Sequence, residues 1–195
     1  MSVEESIPKQ IVSAMKSDDL GALRRLFSEH PNQLTWSTPF GGQSWLGYAA
    51  QIGKSNAVEL LVDLGADVNQ GDPRENTKAL NSAASNGHLD ITRYLIEKGA
   101  LMDVSASVRN PLFAAIVGRS PQIVDLLLRS GIDSHVKYNS ETMDDLDAVA
   151  FALMRGEQDC AALIANWNCN GNPEKVAHTL EHADAIAQRN ARRHG

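Results

Sequence analysis

The 195-residue sequence predicts an all-α solenoid, in which helix-turn-helix units with hairpin loops stack and a C-terminal helix closes the array. Two observations lead to this fold class. A pattern of small residues, a turn and an apolar helix recurs with a period near 33 residues, which is typical of repeat architectures. The aromatic share is only 5%, and alanine is frequent, which favours close helix packing over a β-sandwich.

The repeat is clearest in three central copies. Each has an Ala-rich first helix, a turn, a second helix with apolar residues at i, i+3 and i+4 spacing, and a terminating glycine. Those glycines are Gly65, Gly99 and Gly131, spaced 34 and 32 residues apart. Weaker copies flank them, so we predict five units over residues 7–168. Their approximate bounds are 7–34, 35–69, 70–104, 105–138 and 139–168.

The second unit illustrates the local features that we predict for each repeat. The first helix of the second unit, residues 45–51, presents Ala49 and Ala50, and small side chains let neighbouring helices approach closely. The turn that follows contains Gly53, which tolerates a positive φ. The polar stretch 69–76 that leads to the next unit has the composition of a protruding hairpin.

A further helix is predicted after the array. Asn172 and Pro173 form an N-terminal helix signal, and Val176, Leu180 and Ala183 share one face of the following segment. We expect residues 172–190 to form a capping helix that covers the open end of the last repeat. Residues 191–195 form a short basic tail.

These repeats resemble ankyrin repeats. Part of the T-P-L-H-x-A-A-x-x-G-H signature is present at residues 44–53, at 83–88 and at 111–113, and the G-A-D-V-N ending stands at 65–69. The resemblance covers about four fifths of the chain. It implies a non-catalytic module that binds another protein on the concave face of the solenoid.

A narrower resemblance rests on residues 110–116, 131–133, 136–138 and 145–152. These segments are similar to bacterial ankyrin proteins that accompany secreted toxins as immunity partners. That resemblance implies a protein which binds and neutralises one cognate toxin. The alternative is a general ankyrin adaptor, or a secreted effector that docks a cellular protein.

The charge and the cysteines limit the function classes. With 18 Lys and Arg against 24 Asp and Glu, the net charge of −6 disfavours nucleic-acid binding and favours a basic partner. Two cysteines provide neither a disulfide scaffold nor a metal framework. With no secretory signal and no membrane-length apolar run, we expect a cytoplasmic chain that is a monomer when free.

One string, His178-Thr-Leu-Glu181-His182, matches the H-x-x-E-H pattern of some zinc proteases. Only 13 residues follow it, and no distant third ligand is evident. We therefore interpret it as the polar face of the capping helix, and we predict no catalytic residue, no cofactor and no metal. The remaining alternative is an enzyme or metal protein built on this helix.

The repeat register predicts which residues contact a partner. Trp36, Phe40, Trp45 and Tyr48 form an aromatic cluster, although Trp45 could instead be buried between repeats. Nine acids against two bases lie between residues 141 and 184, which predicts an acidic wall. The full predicted set is Trp36, Phe40, Gln43, Trp45, Tyr48, Arg74, Glu75, Asn76, Arg109, Tyr138, Asp144, Asp145 and Arg155.

Overall fold

A computed structural model describes residues 6–36, 38 and 42–192, and its helices come in consecutive antiparallel pairs. The chain divides into two compact units, Met1–Leu101 and Met102–Gly195. No β-strand longer than an isolated bridge occurs among these described residues. The predicted fold class, an all-α repeat solenoid, is confirmed.

The described residues of unit 1 form three helix pairs. A single 3₁₀ turn, Pro31–Thr35, follows the first pair. The helices are α1 (Ile7–Ser17), α2 (Leu20–Glu29), α3 (Trp45–Gln51), α4 (Ser55–Asp63), α5 (Ala79–Ser85) and α6 (Leu89–Glu97).

Small side chains and caps explain the packing of α3 in unit 1. The Ser44 hydroxyl accepts a hydrogen bond from the Gly47 N–H at 3.1 Å and so starts the helix. Ala49 and Ala50 on α3 are completely buried, and α3 packs against α5, whose Ala83 and Ala84 are also completely buried. The predicted role of the alanine pairs therefore matches the packing.

The turn between α3 and α4 requires glycine. Gly53 has a φ of +71°, and a Cβ on it would lie 2.6 Å from Cε1 of His88. The same imidazole places Nε2 3.1 Å from the Gln51 carbonyl oxygen. The turn of one repeat thus contacts His88, the residue that ends the equivalent turn of the next repeat.

A second link within unit 1 joins the ends of two repeats. Asn69 Nδ2 donates to the Gly99 carbonyl at 3.1 Å, and Asn69 Oδ1 accepts from the Leu101 N–H at 2.8 Å. One side chain therefore satisfies two backbone groups that lie after the third helix pair.

Unit 2 contains two helix pairs and a longer terminal helix. Side chains of Asn110, Ser120, Asp147 and Asn172 accept from backbone N–H groups at four of the helix starts. The helices are α7 (Pro111–Val117), α8 (Pro121–Arg129), α9 (Ala148–Met154), α10 (Gln158–Asn168) and α11 (Pro173–Ala191).

Helix α11 packs against α9 and α10, and its buried face lies in its C-terminal half, at Ala183, Ile186 and Ala187. Asn190 is fully buried there. Its Oδ1 accepts from the Asp144 N–H at 2.8 Å, and its Nδ2 donates to the Asp144 carbonyl at 3.0 Å. This two-way hydrogen bond fastens the loop before α9 to the end of α11.

Among residues 6–36, 38 and 42–192, no helix is both long and apolar enough to cross a bilayer.

Candidate binding surface

The first helices of unit 1 present a mostly polar surface. Gln51 on α3 and Asn86 at the end of α5 are exposed, and Ser85 is half-exposed. Gln51 Oε1 accepts a hydrogen bond from Gln43 Nε2 at 2.7 Å. Tyr48 is the half-exposed aromatic residue of this surface.

The first helices of unit 2 present an apolar surface instead. Val117 on α7 is 42% exposed, Phe151 and Met154 on α9 are half-exposed, and Arg155 at the end of α9 is exposed. We call Val117, Phe151, Met154 and Arg155 the apolar patch. Single exposed apolar side chains are ordinary, but a group on adjacent helices is typical of an interaction site.

A ring stack supports the apolar patch from beneath. Phe113, which is 5% exposed, lies one helical turn before Val117 on α7. Its ring stacks on that of Phe151 with a centroid separation of 4.4 Å and an interplanar angle of 6°. The guanidinium carbon of Arg155 stands 5.8 Å from the Phe151 centroid. Val117 and Phe151 therefore both lie next to the buried ring of Phe113. Arg155 lies over the ring of Phe151.

Tyr138 lies under the patch rather than on the surface. It is 8% exposed, and its ring meets Phe113 edge to face at 5.1 Å. Its hydroxyl donates to the Val104 carbonyl at 2.8 Å and accepts from Asn110 Nδ2 at 3.0 Å. The prediction that Tyr138 contacts a partner is therefore corrected, because packing and hydrogen bonding inside unit 2 take up the whole side chain.

The two central acids of the predicted acidic wall are paired within the chain. Asp144 Oδ2 lies 2.9 Å from Nε of Arg189 on α11, and Asp145 Oδ2 lies 3.0 Å from Lys137 Nζ. Both carboxylates are only partly exposed. Their negative charge is largely offset locally, so they attract a basic partner less than the sequence suggests.

The aromatic cluster predicted in unit 1 is divided by the fold. Trp45 is 1% exposed and packs edge to face against Phe27 at 6.5 Å. It is therefore a core residue, as the alternative of burial between repeats predicts. Trp36 is 52% exposed. Phe40 lies outside the described residues. Trp36 and Tyr48 therefore remain as surface aromatic residues of the described part of this cluster.

Arg74, Glu75 and Asn76 form the exposed tip of the hairpin after α4. Asp72 organises this tip, because its carboxylate accepts hydrogen bonds from the N–H groups of Arg74, Glu75 and Thr77 and from the Thr77 hydroxyl. Partial burial raises the pKa of Asp72, but these hydrogen bonds outweigh it and leave the pKa lowered. The predicted surface residues are thus held by an internal turn.

Arg109 ends a 3₁₀ turn, Ser107–Arg109, and is half-buried rather than freely exposed. Sequence reasoning also missed Phe151, although the repeat register could have found it. Phe151 stands five residues before the turn residue Gly156, as Tyr48 stands five before Gly53.

The histidines and cysteines of the described residues lie apart from one another or on the surface. No group of three or more His, Cys, Asp or Glu side chains there could hold a metal ion. His178, Glu181 and His182 are exposed on α11. Burial, with smaller contributions from Glu157 and Asp159, raises the pKa of the Cys160 thiol to about 11, so this sulfur is not an activated nucleophile.

Comparison with known proteins identifies the repeats. The family model described as ankyrin repeats in three copies matches residues 11–107 and 46–138. The putative palmitoyltransferase ZDHHC13 of Danio rerio is 38% identical over 100 residues, which are 50% of this chain and 15% of that protein.

Two other relatives show the same partial coverage. An ankyrin repeat and KH domain-containing protein of Caenorhabditis briggsae is 28% identical over 143 residues, 70% of this chain and 5% of its own length. The E3 ubiquitin-protein ligase hecd-1 of Caenorhabditis elegans is 29% identical over 100 residues, 51% of this chain and 4% of its own length. This chain thus spans a small part of each relative.

The family model covers more than half of the sequence, and the matched residues contain the helices from α2 to α8. This chain therefore belongs to the ankyrin-repeat family, whose repeats are typically non-catalytic modules for protein–protein interaction.

Proposed function

We propose that this chain binds a protein partner through the first helices of unit 2, and that the partner is a toxin which the chain neutralises as an immunity protein. The observation that carries the binding proposal is the apolar patch, where Val117 is 42% exposed beside the half-exposed Phe151. Its aromatic and arginine content is typical of the residues that dominate interface energetics.

The toxin proposal rests on the resemblance of residues 110–116 and 145–152 to bacterial immunity proteins. These two segments contribute the buried Phe113 and the patch residue Phe151. Exposed acids elsewhere in unit 2 support a basic toxin, because they would accelerate its association. They are Glu141, Asp159, Glu174, Glu181 and Asp184.

The test uses the protein encoded beside the gene for this chain. We expect a 1:1 complex by calorimetry, and rescue of growth when this chain is co-expressed with that protein. Val117→Asp should weaken binding at least tenfold, because it replaces an apolar contact with a charged side chain that is costly to desolvate. The matched control is Gln51→Asp, since Gln51 holds the same repeat position on α3.

Two results would contradict the proposal in different ways. Equal affinities for Val117→Asp and Gln51→Asp would show that the patch is not the binding surface. Complex formation without growth rescue would leave binding intact and remove the immunity role.

A second candidate function is an adaptor or effector that docks a cellular protein. The coverage of relatives favours it, because matched repeats make up only 4% to 15% of the three larger proteins described above. Binding of a cellular protein that is not a toxin, lost in Val117→Asp but retained in Gln51→Asp, would support this function.

A further inference from the structure

We propose that the partner segment which contacts the apolar patch carries a carboxylate beside an apolar side chain, and that Arg155 binds this carboxylate. The inference rests on the proposed binding role of the patch, but it does not depend on whether the partner is a toxin. It concerns the sign of charge that the patch selects.

Several charged side chains of unit 2 form ion pairs within the chain. Arg119 is paired with Glu157 at 3.0 Å and Arg129 with Asp125 at 2.7 Å. Asp144 and Asp145 are paired with Arg189 and Lys137, as described above. The charged groups of these four pairs are therefore already matched within the chain.

Arg155 differs from these residues. Among the residues that the structure describes, no carboxylate forms an ion pair with it, and its described contact is the ring of Phe151 at 5.8 Å. The charge that the patch leaves unmatched is therefore positive.

The Phe151 ring restricts how Arg155 presents this positive charge. A guanidinium held over an aromatic ring has lost part of its rotational freedom, and it presents a planar fork that fits a carboxylate. Because Arg155 is exposed, its donors can reach a partner. Hydrogen bonds between charged groups are shorter and stronger than neutral ones, so a carboxylate at this point would add specificity.

A basic side chain of a partner fits the patch poorly. A partner lysine or arginine at the patch would meet Arg155 and would gain no matching carboxylate there, which is unfavourable in a partly desolvated contact. Val117 is 42% exposed and Met154, next to Arg155 in the chain, is half-exposed, so both can contact an aliphatic or aromatic side chain. An apolar residue next to Asp or Glu satisfies both requirements.

The patch thus selects an acidic segment, whereas the net charge of −6 favours a basic partner. Net charge and the patch act at different steps of binding. Net charge acts over long distances and changes the rate of encounter, whereas the patch acts at contact and determines which segment docks. A basic protein could therefore dock through an acidic segment.

The experiment selects peptides from a random 12-residue phage library on the immobilised full chain, with depletion on the Val117→Asp variant. We expect the enriched peptides to combine Asp or Glu with a neighbouring large apolar residue. Binding of the best peptide, labelled with fluorescein, is then measured by anisotropy. Arg155→Gln should weaken it at least tenfold, and Arg155→Lys should weaken it less, because the charge remains.

The matched control is Asn86→Ala in unit 1, since Asn86 precedes its turn glycine as Arg155 precedes Gly156. This variant should leave the affinity unchanged. The inference would be overturned by enrichment of peptides rich in Lys or Arg, or by selected peptides that bind the wild-type chain no better than Val117→Asp. Equal affinities of the best peptide for wild type and Arg155→Gln would also overturn it. The proposed function is tested separately, by whether Val117→Asp weakens the complex with a protein partner. None of the peptide results would change the outcome of that test.

Discussion

The two units of this chain carry the same helix pairs but different chemistry on their first helices. At the position two residues before the turn, unit 1 has Gln51 and Ser85, whereas unit 2 has Val117 and Met154. The helical register is the same, because both sets lie on seven-residue helices that end at an equivalent turn. The repeat therefore determines where side chains point, and the residue type at each repeat position determines what each unit can bind.

The hairpins that precede α5 and α9 differ as well. In unit 1, Asp72 holds its hairpin through neighbours no more than five residues away. In unit 2, Tyr138 and Asp144 hold theirs through residues 28 to 46 positions away. The first hairpin is a local turn, and the second is part of the tertiary structure of its unit.

The largest effect should come from removing the Tyr138 ring. Tyr138→Ala is expected to lower the free energy of unfolding by about 3–5 kcal/mol, the range for losing a buried aromatic side chain. Tyr138→Phe keeps the contact with Phe113 and should cost about 1–3 kcal/mol, because Asn110 and Val104 lose their partner. Urea denaturation followed by circular dichroism measures both.

The control for this prediction is Tyr48→Ala on α3. Tyr48 is half-exposed, so its loss should cost clearly less than that of Tyr138. If the two alanine variants are equally destabilised, the claimed difference between the units is wrong.

A smaller effect is expected at the end of α11. Asn190→Ala should lower stability by about 1–3 kcal/mol, because the N–H and carbonyl of Asp144 lose their hydrogen bonds to a buried side chain. Thermal unfolding gives the energy, and hydrogen exchange at the Asp144 amide gives the location. Gln188→Ala, on the exposed face of the same helix, should change stability by less than about 0.5 kcal/mol. Unchanged exchange at Asp144 would show that Asn190 does not hold this loop.

The turns between helices offer a still smaller contrast. Gly53→Ala should cost about 1–2 kcal/mol, because a Cβ is strained at positive φ and would press on His88. Arg119, at the equivalent turn of unit 2, already has a φ of +53°. Arg119→Gly relieves that strain but loses an exposed ion pair with Glu157, so it should stay within about 0.5 kcal/mol of wild type. Chemical denaturation measures the free energy of unfolding of both variants. Equal losses of stability in Gly53→Ala and Arg119→Gly would contradict the expectation.

The two hairpins should also respond to opposite extremes of pH. Because the pKa of Asp72 lies below its ordinary value of 3.8, its stabilisation is complete above pH 3.8 and is lost as the pH falls through the lowered value. Burial raises the pKa of Tyr138 above 10.0, with a smaller opposing effect of its hydrogen bond from Asn110. Its stabilisation is complete below pH 10 and is lost as the pH rises through the raised value.

NMR titration of the Thr77 amide and the Asn110 side-chain amide measures these two transitions. Asp72→Asn and Tyr138→Phe should each abolish one transition and leave the other. If the unit 2 hairpin also shows a transition in acid, at the pH where Asp72 titrates, the two hairpins do not respond to opposite extremes of pH.

The sequence predicted the helices well, because their signals are local. The glycine at Gly53 and the alanine pairs each act over a few residues, and they recur with the repeat. The fate of individual surface side chains was harder to predict. Trp45 and Tyr138 look alike as aromatic anchors in sequence, but both are buried by contacts with residues that lie far away in the chain.

The charges of the predicted acidic wall show the same limitation. Asp144 is paired with Arg189, which is 45 residues away, and no local pattern indicates that pairing. The exposed tip at Arg74 and Glu75 follows local turn chemistry, and it lies at the surface as its composition suggests. The predicted contacts of that tip with a partner stay a prediction.

Phe113 touches Tyr138 on one side and Phe151 on another, so one ring belongs both to the hairpin anchor and to the base of the patch. Mutational scans of this protein will therefore mix two kinds of defect, since a change that loosens the hairpin also alters the shape offered to a partner. Affinity lost at Tyr138 should return when stabilising substitutions elsewhere restore the fold, whereas affinity lost at Val117 should not.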